Sequence, residues 1–213
     1  MHGDWYFDLV SPFAYLQSKQ MQRLPVGLKI ECTPVLLAGL LAHWGQMGPA
    51  EIPPKRIFTY RYAAWLAERR GVPFKMPPCH PFNPLHALRL LCAVGPTAAH
   101  VSLAFDMVWK EGRDLQNPRE ITELGRRLAI DDIESVLADD AIKMKLRSNT
   151  EAAASKGVFG VPTFGIGDAI FWGQDSFDMF LEYLSKPGLF DTPEMLRISR
   201  LPLGALRRRP PRQ

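Results

Sequence analysis

The chain has 213 residues, 46% of them apolar and 23% charged, which is the balance of an ordinary folded domain with room for a substantial core. Its formal charge of +4 is matched by Arg207, Arg208, Arg209 and Arg212 in a proline-containing end that has no acid. The rest is therefore near neutral, and nothing points to nucleic-acid binding. Cys32, Cys79 and Cys92 include no C-x-x-C pair, so neither a disulfide framework nor a zinc knuckle fits, and a reducing cytoplasm is expected. No run approaches the ~18 apolar residues of a membrane span, and residues 1–8 lack the basic and apolar regions of an export signal. The expectation is a chain that is neither anchored nor exported.

Trp5, Phe7 and Leu9 alternate with Tyr6 and Asp8, which predicts a first strand ending near Val10. Ser11 then precedes Pro12, the order of an N-cap followed by a proline at the first helical position. A helix is expected through Met21, ended by Pro25 and Gly27, and a second strand over residues 28–35. A β-α-β unit of this kind pairs its strands in parallel.

Residues 36–156 show only helical periodicity interrupted by Pro and Gly, so an all-helical insertion of about 120 residues is expected, packed as a bundle. Pro53 opens a helix stopped by Gly71, and Pro84 another capped by Gly95. Val101, Ala104, Phe105, Val108 and Trp109 mark one helical face. Asn117-Pro118-Arg119-Glu120 reads as an N-cap with an acid three residues on, and a last helix runs over 139–156 to Gly157. Strand character returns as a hairpin, 161–166 and 169–172 around Gly167-Asp168, before a closing helix that Asp175 can cap.

Neither end has enough sheet to bury its faces alone. The two ends are expected to join as one four-stranded mixed sheet: a thioredoxin-like α/β fold over residues 1–36 and 157–190. The helical insert, 37–156, lies across it as a lid, and 191–213 form a poorly ordered basic tail. The Ser11 corner then occupies the place where thioredoxin-like proteins hold C-x-x-C. With Ser11-Pro12-Phe13-Ala14 there, dithiol redox chemistry is excluded by composition.

Four stretches, "FDLVSPFAYL", "IPPKRIFTYRYAAW", "PFNPLHALR" and "GVFGVPTFGIGDAIFWGQDSFDMFLEYL", make the chain resemble the 2-hydroxychromene-2-carboxylate isomerases and the related kappa-class glutathione transferases, within the DsbA-like group. The resemblance implies glutathione as a recycled cofactor, with Ser11 holding its sulfur as a thiolate at a helix N-terminus. It implies a cis Val161-Pro162 bond, with Val161 pairing its backbone with the cysteinyl part. Gln174 and Asp175 match positions for the γ-glutamyl end, and Lys55 one for the glycyl carboxylate. Gln46 stands where the family has Asn.

Asn83 and Arg89 could bind an acidic aromatic second substrate; equally, Asn83 is an N-cap and Arg89 part of a solvated face. Phe58, Tyr60, Tyr62 and Trp65 could wall an aromatic pocket, or be largely core. His80 or His86 is a conceivable general base for a serine nucleophile, but no G-x-S-x-G elbow surrounds Ser11. The implied function is glutathione-dependent isomerisation in aromatic catabolism. The alternatives are a kappa-like transferase and a non-catalytic glutathione-binding protein. Metal, nucleic acid and membrane are not expected; a homodimer is, from the kappa-class relatives.

Overall fold

The computed structural model describes residues 1–205. The chain divides into two compact units, Met1–Phe177 and a second beginning at Asp178. In the first, strand β1 (His2–Phe7) pairs in parallel with β2 (Lys29–Pro34) and antiparallel with β3 (Thr163–Ile166), which pairs antiparallel with β4 (Ala169–Trp172). The sheet order is β2-β1-β3-β4, the mixed four-stranded sheet expected for a thioredoxin-like fold.

β1 is central, and both of its faces are buried. Trp5 and Phe7 point to one side, where their rings stack at 5.0 Å and meet Phe105 and Phe164. Tyr6 points to the other, into a cluster with Val35, Leu40, Ala153, Ala154, Val158 and Val161. Burying each such side chain contributes roughly 1.5–3 kcal/mol, so β1 anchors both layers.

Helix α1 (Pro12–Ser18) is shorter than expected and is followed by a 3-10 turn at Met21–Arg23. β1 also stops at Phe7 rather than near Val10. The Asp8 carboxylate accepts the Val10 N–H at 3.0 Å and turns the chain out of the strand before Ser11.

The insert is all helical: α2 (Leu37–Trp44), α3 (Pro53–Arg69), α4 (Leu85–Val94), α5 (Ala98–Trp109), α6 (Pro118–Arg127), α7 (Ile133–Ala138) and α8 (Asp140–Ser155). Gly71, Gly95 and Gly157 punctuate it where expected, and Gly45 ends α2 in the same way; all four have positive φ just past a helix end. The α5 face is completely buried. Asn117 caps α6, but Glu120 pairs with Arg113 at 2.9 Å instead of closing a capping box.

The insert does not lie over the sheet as a lid. α5 packs against α1 beside Trp5 and Phe7, while α2 and α8 cover the Tyr6 face, so the insert grips the sheet from both sides. At its base the Leu36 N–H donates to Thr150 Oγ1 at 3.0 Å, and Asn149 Nδ2 donates to the Pro34 carbonyl at 3.2 Å.

The second unit takes up α9 (Phe177–Ser185) from its second residue, Asp178, and continues into a 3-10 turn at Pro187–Phe190, where Tyr183 and Phe190 stack at 5.2 Å. The stretch expected to be poorly ordered from residue 191 holds a short helix, α10 (Pro193–Ile198), capped by Thr192 and braced by the Glu194–Arg197 pair. Arg207, Arg208, Arg209 and Arg212 lie outside the described residues.

Candidate active site

Ser11 is buried, in extended conformation, at the N-cap of α1. Its Oγ accepts the Ala14 N–H at 3.2 Å, and its own N–H donates to the Asp8 carbonyl. This use of an oxygen lone pair leaves the hydroxyl proton available to an anion, in a place where the free N–H groups of the first helical turn also point. No acidic or basic side chain contacts Oγ among the described residues. His80, the conceivable base, is engaged elsewhere, and His86 is exposed.

The β1–β3 register, Tyr6 opposite Thr163, carries Val161-Pro162 to the same end of the sheet as the Ser11 corner, and that peptide bond is cis. Val161 precedes the ladder, and its N–H and C=O make no hydrogen bond among the described residues. Gly173 joins the pieces. Its N–H donates to the Pro162 carbonyl at 2.8 Å, and its carbonyl accepts from Gln17 Nε2 at 3.1 Å; the Gln17 Oε1 in turn accepts from Trp5 Nε1 at 2.6 Å. With φ at 92°, and with Asp175 Oδ1 where a Cβ would sit, only glycine suits position 173.

Buried Gln174 accepts from Arg70 at the C-terminal end of α3 through Oε1, leaving Nε2 with no protein partner among the described residues. Asp175 is exposed and caps nothing. It lies inside a 3-10 turn, Gln174–Ser176, that Gly173 begins and that Ser176 secures by donating to the Gly173 carbonyl.

Ser11, Val161, Pro162, Gln174 and Asp175 thus gather around α1 and Gly173. Lys55 is exposed in the first turn of α3, fifteen residues from Arg70 and so about 22 Å away along the helix axis. Midway between them Tyr62 meets Phe13 of α1, ring centroids 5.9 Å apart. The glycyl end of an extended ligand would have to run along α3 to reach Lys55. Asn83 is exposed; its Oδ1 accepts the Leu85 N–H and its N–H donates to Gln116, so it turns the chain into α4, but the N-cap position itself falls on Pro84, which makes no side-chain cap bond, and not on Asn83 as expected. Arg89 lies in a separate cleft that none of the other candidate residues lines.

The aromatic stretch of α3 is not core. Phe58, Tyr62 and Trp65 are 67%, 36% and 54% exposed and stack as a ridge, 6.0 Å from ring to ring, because α3 buries Ala63, Leu66 and Ala67 instead. Tyr60 alone turns inward, to His80.

The corner is also held by residues with no motif to reveal them. Asp8, 1% exposed, accepts the Val10 N–H on one oxygen and the Leu37 N–H of α2 on the other at 2.8 Å; burial pushes its carboxyl up to about 7. His80 Nε2 meets the Val10 carbonyl at 2.7 Å, its Nδ1 meets Tyr60 at 2.8 Å, and burial lowers its pKa. Trp109 Nε1 donates to the Leu9 carbonyl at 2.9 Å. The peptide groups leading to Ser11 are therefore fixed by the insert. One signal was present in the sequence: a carboxylate inside an otherwise apolar strand end.

The DSBA-like thioredoxin domain matches residues 4–185. Across 182 residues the chain is 31% identical to a 2-hydroxychromene-2-carboxylate isomerase of Pseudomonas putida, covering 81% of this chain and 88% of that one. The chain belongs to the 2-hydroxychromene-2-carboxylate isomerase family. A solved structure of such an isomerase superposes with a TM-score of 0.80 at 27% identity, over 88% of this chain and 96% of that one. A glutathione S-transferase kappa 2 of Caenorhabditis elegans is 24% identical over 209 residues, covering 86% of this chain and 91% of that one. The isomerase family thus has a kappa-class neighbour, as the sequence resemblance implied. No helix among the described residues is long and apolar enough to cross a membrane.

Proposed function

We propose that the chain interconverts 2-hydroxychromene-2-carboxylate and its ring-opened o-hydroxybenzylidenepyruvate isomer with glutathione as a recycled cofactor. The observation that carries this is a capping serine with its proton free, at a corner with neither a thiol nor a base. Such a site can stabilise a borrowed sulfur anion but cannot itself supply a nucleophile.

The residues present fit glutathione. The Ser11 hydroxyl and the α1 N-terminus favour an anionic sulfur, the unpaired N–H and C=O of Val161 suit an extended peptide, and Gln174 Nε2 with Asp175 suits an α-amino acid end. When bound, glutathione supplies a thiol that adds reversibly to the conjugated double bond, so that rotation and ring opening can proceed, and departs unchanged. Ser11 holds the proton of its hydroxyl toward the sulfur through the cycle. The Asp8, His80 and Trp109 contacts keep that hydroxyl in place, and Phe13 with the α3 ridge offers a flat apolar surface to an aromatic ring.

The kappa-class relative favours a second reading, a transferase that consumes the thiol. Incubation with substrate and substoichiometric glutathione separates the two: isomerisation runs to equilibrium with free thiol undiminished, whereas conjugation stops when the thiol is spent. No turnover in the presence of glutathione refutes both. The chain is further proposed to act as a homodimer in the cytoplasm, which sedimentation and cell fractionation test.

A further inference from the structure

α2, α4 and α8 enclose a cleft of about 760 Å³ whose walls include Leu36, Leu85, Met144 and Leu146. Three cations line it. Lys143 is paired with Asp140 at 2.8 Å and Arg147 with Glu151 at 2.7 Å, so two of the positive charges are matched by acids in the same cleft. Arg89 is matched by none among the described residues, and its Nε is sealed from solvent without an acceptor. Of Arg89, Lys143 and Arg147, Arg89 is thus the cation of the cleft whose charge is unanswered among the described residues. The partner that answers an unmatched guanidinium fork is a carboxylate, held by N–H···O bonds from its terminal nitrogens. The volume suits a drug-sized molecule, and the leucine and methionine walls suit an apolar body.

We propose that this cleft is a second binding site, separate from the Ser11 corner, for a small monocarboxylate with an apolar body, anchored on Arg89. Its occupant lies against Leu36 and Thr150, which hydrogen-bond to each other; the next residue, Leu37, holds the Asp8 carboxylate. The inference does not depend on glutathione binding at Ser11.

The test is calorimetric titration of the full chain with 2-naphthoate and with its uncharged counterpart, 2-naphthamide. The wild-type chain should bind the acid at one site, at least tenfold tighter than the amide. Arg89→Gln should weaken the acid tenfold or more, as should Met144→Trp, which fills the cleft from an exposed position. Ser11→Ala should leave its affinity unchanged. Because Arg89 carries an unpaired donor, Arg89→Met should melt no lower than wild type in the absence of ligand while binding no acid. No binding by wild type, wild-type affinity in Arg89→Gln, or an equal loss in Ser11→Ala, which would put the acid at the corner, overturns the proposal.

Discussion

Replacing Ser11 separates two roles that one oxygen performs. As a cap it accepts the Ala14 N–H, and Ser→Ala at such a position costs about 1 kcal/mol of stability, Ser→Gly only a few tenths. As a donor to a bound sulfur anion it makes a charge-assisted hydrogen bond of roughly 1.5–3 kcal/mol. At about 1.4 kcal/mol per pKa unit that is a depression of about one to two units, bringing an ordinary thiol from about 8.5 toward neutrality. Ser11→Ala and Ser11→Gly should therefore differ in urea midpoint yet agree in raising the pKa of bound glutathione by about one to two units. The readout is thiolate absorbance of the complex against pH, and turnover at neutral pH should fall with the thiolate fraction. If glutathione bound to wild type titrates like the free thiol, or if the alanine variant titrates like wild type, the proposed role of Ser11 is wrong.

Asp8 is a buried acid with its pKa raised from 3.8 to about 7, so the folded chain holds a proton that the unfolded chain releases, and stability falls as pH rises from about 4 to 7. Asp8→Asn does not titrate there, so the melting temperature of wild type minus that of the variant should fall as pH rises across that range, while turnover of the variant falls as the Val10 turn loosens. Gln17→Leu leaves the Trp5 N–H unpaired inside the protein, while the Gly173 carbonyl keeps its bond from Ser176; at ~1–3 kcal/mol for the orphaned donor, chemical denaturation should show a loss of about 2 kcal/mol. Lys55→Ala should raise the glutathione KM about fivefold with kcat unchanged if the exposed lysine meets the glycyl carboxylate, an interaction of about 1 kcal/mol. An unchanged KM would release Lys55 from the site.

Local chemistry was legible in the sequence wherever Pro, Gly and short polar side chains set the backbone. The Ser11-Pro12 cap, the Gly95 and Gly157 stops and the Gly167 turn all fall at their expected positions. The joining of the two ends in one mixed sheet was legible too, because neither end of the chain could bury its own strands; the order of the strands in it was not. Three other features were not legible. β1 ends early because Asp8 bonds forward to Val10, a contact that competes with the ladder and leaves no periodic trace. Helix α2 opens at Leu36 with no side-chain cap, so its start carried no signal. The aromatic run of α3 has the i, i+4 and i+3 spacing of a buried stripe but faces outward as a ridge, since Ala63 and Ala67 let the opposite side of the helix approach its neighbours. Gln17 and Arg70, which tie the candidate site together, act across 156 and 104 residues of sequence, a distance no local pattern spans.

The two hydrogen bonds at the foot of the insert, Leu36 to Thr150 and Asn149 to Pro34, draw its ends together across more than a hundred residues. Chain threaded between fixed ends is cheap to lengthen, about 0.6 kcal/mol for each doubling. Evolution is therefore free to add or drop turns around α6 and α7, whereas Tyr60, His80 and Trp109, which reach back to the serine corner, tether descendants of this chain to one geometry however far the outer helices drift.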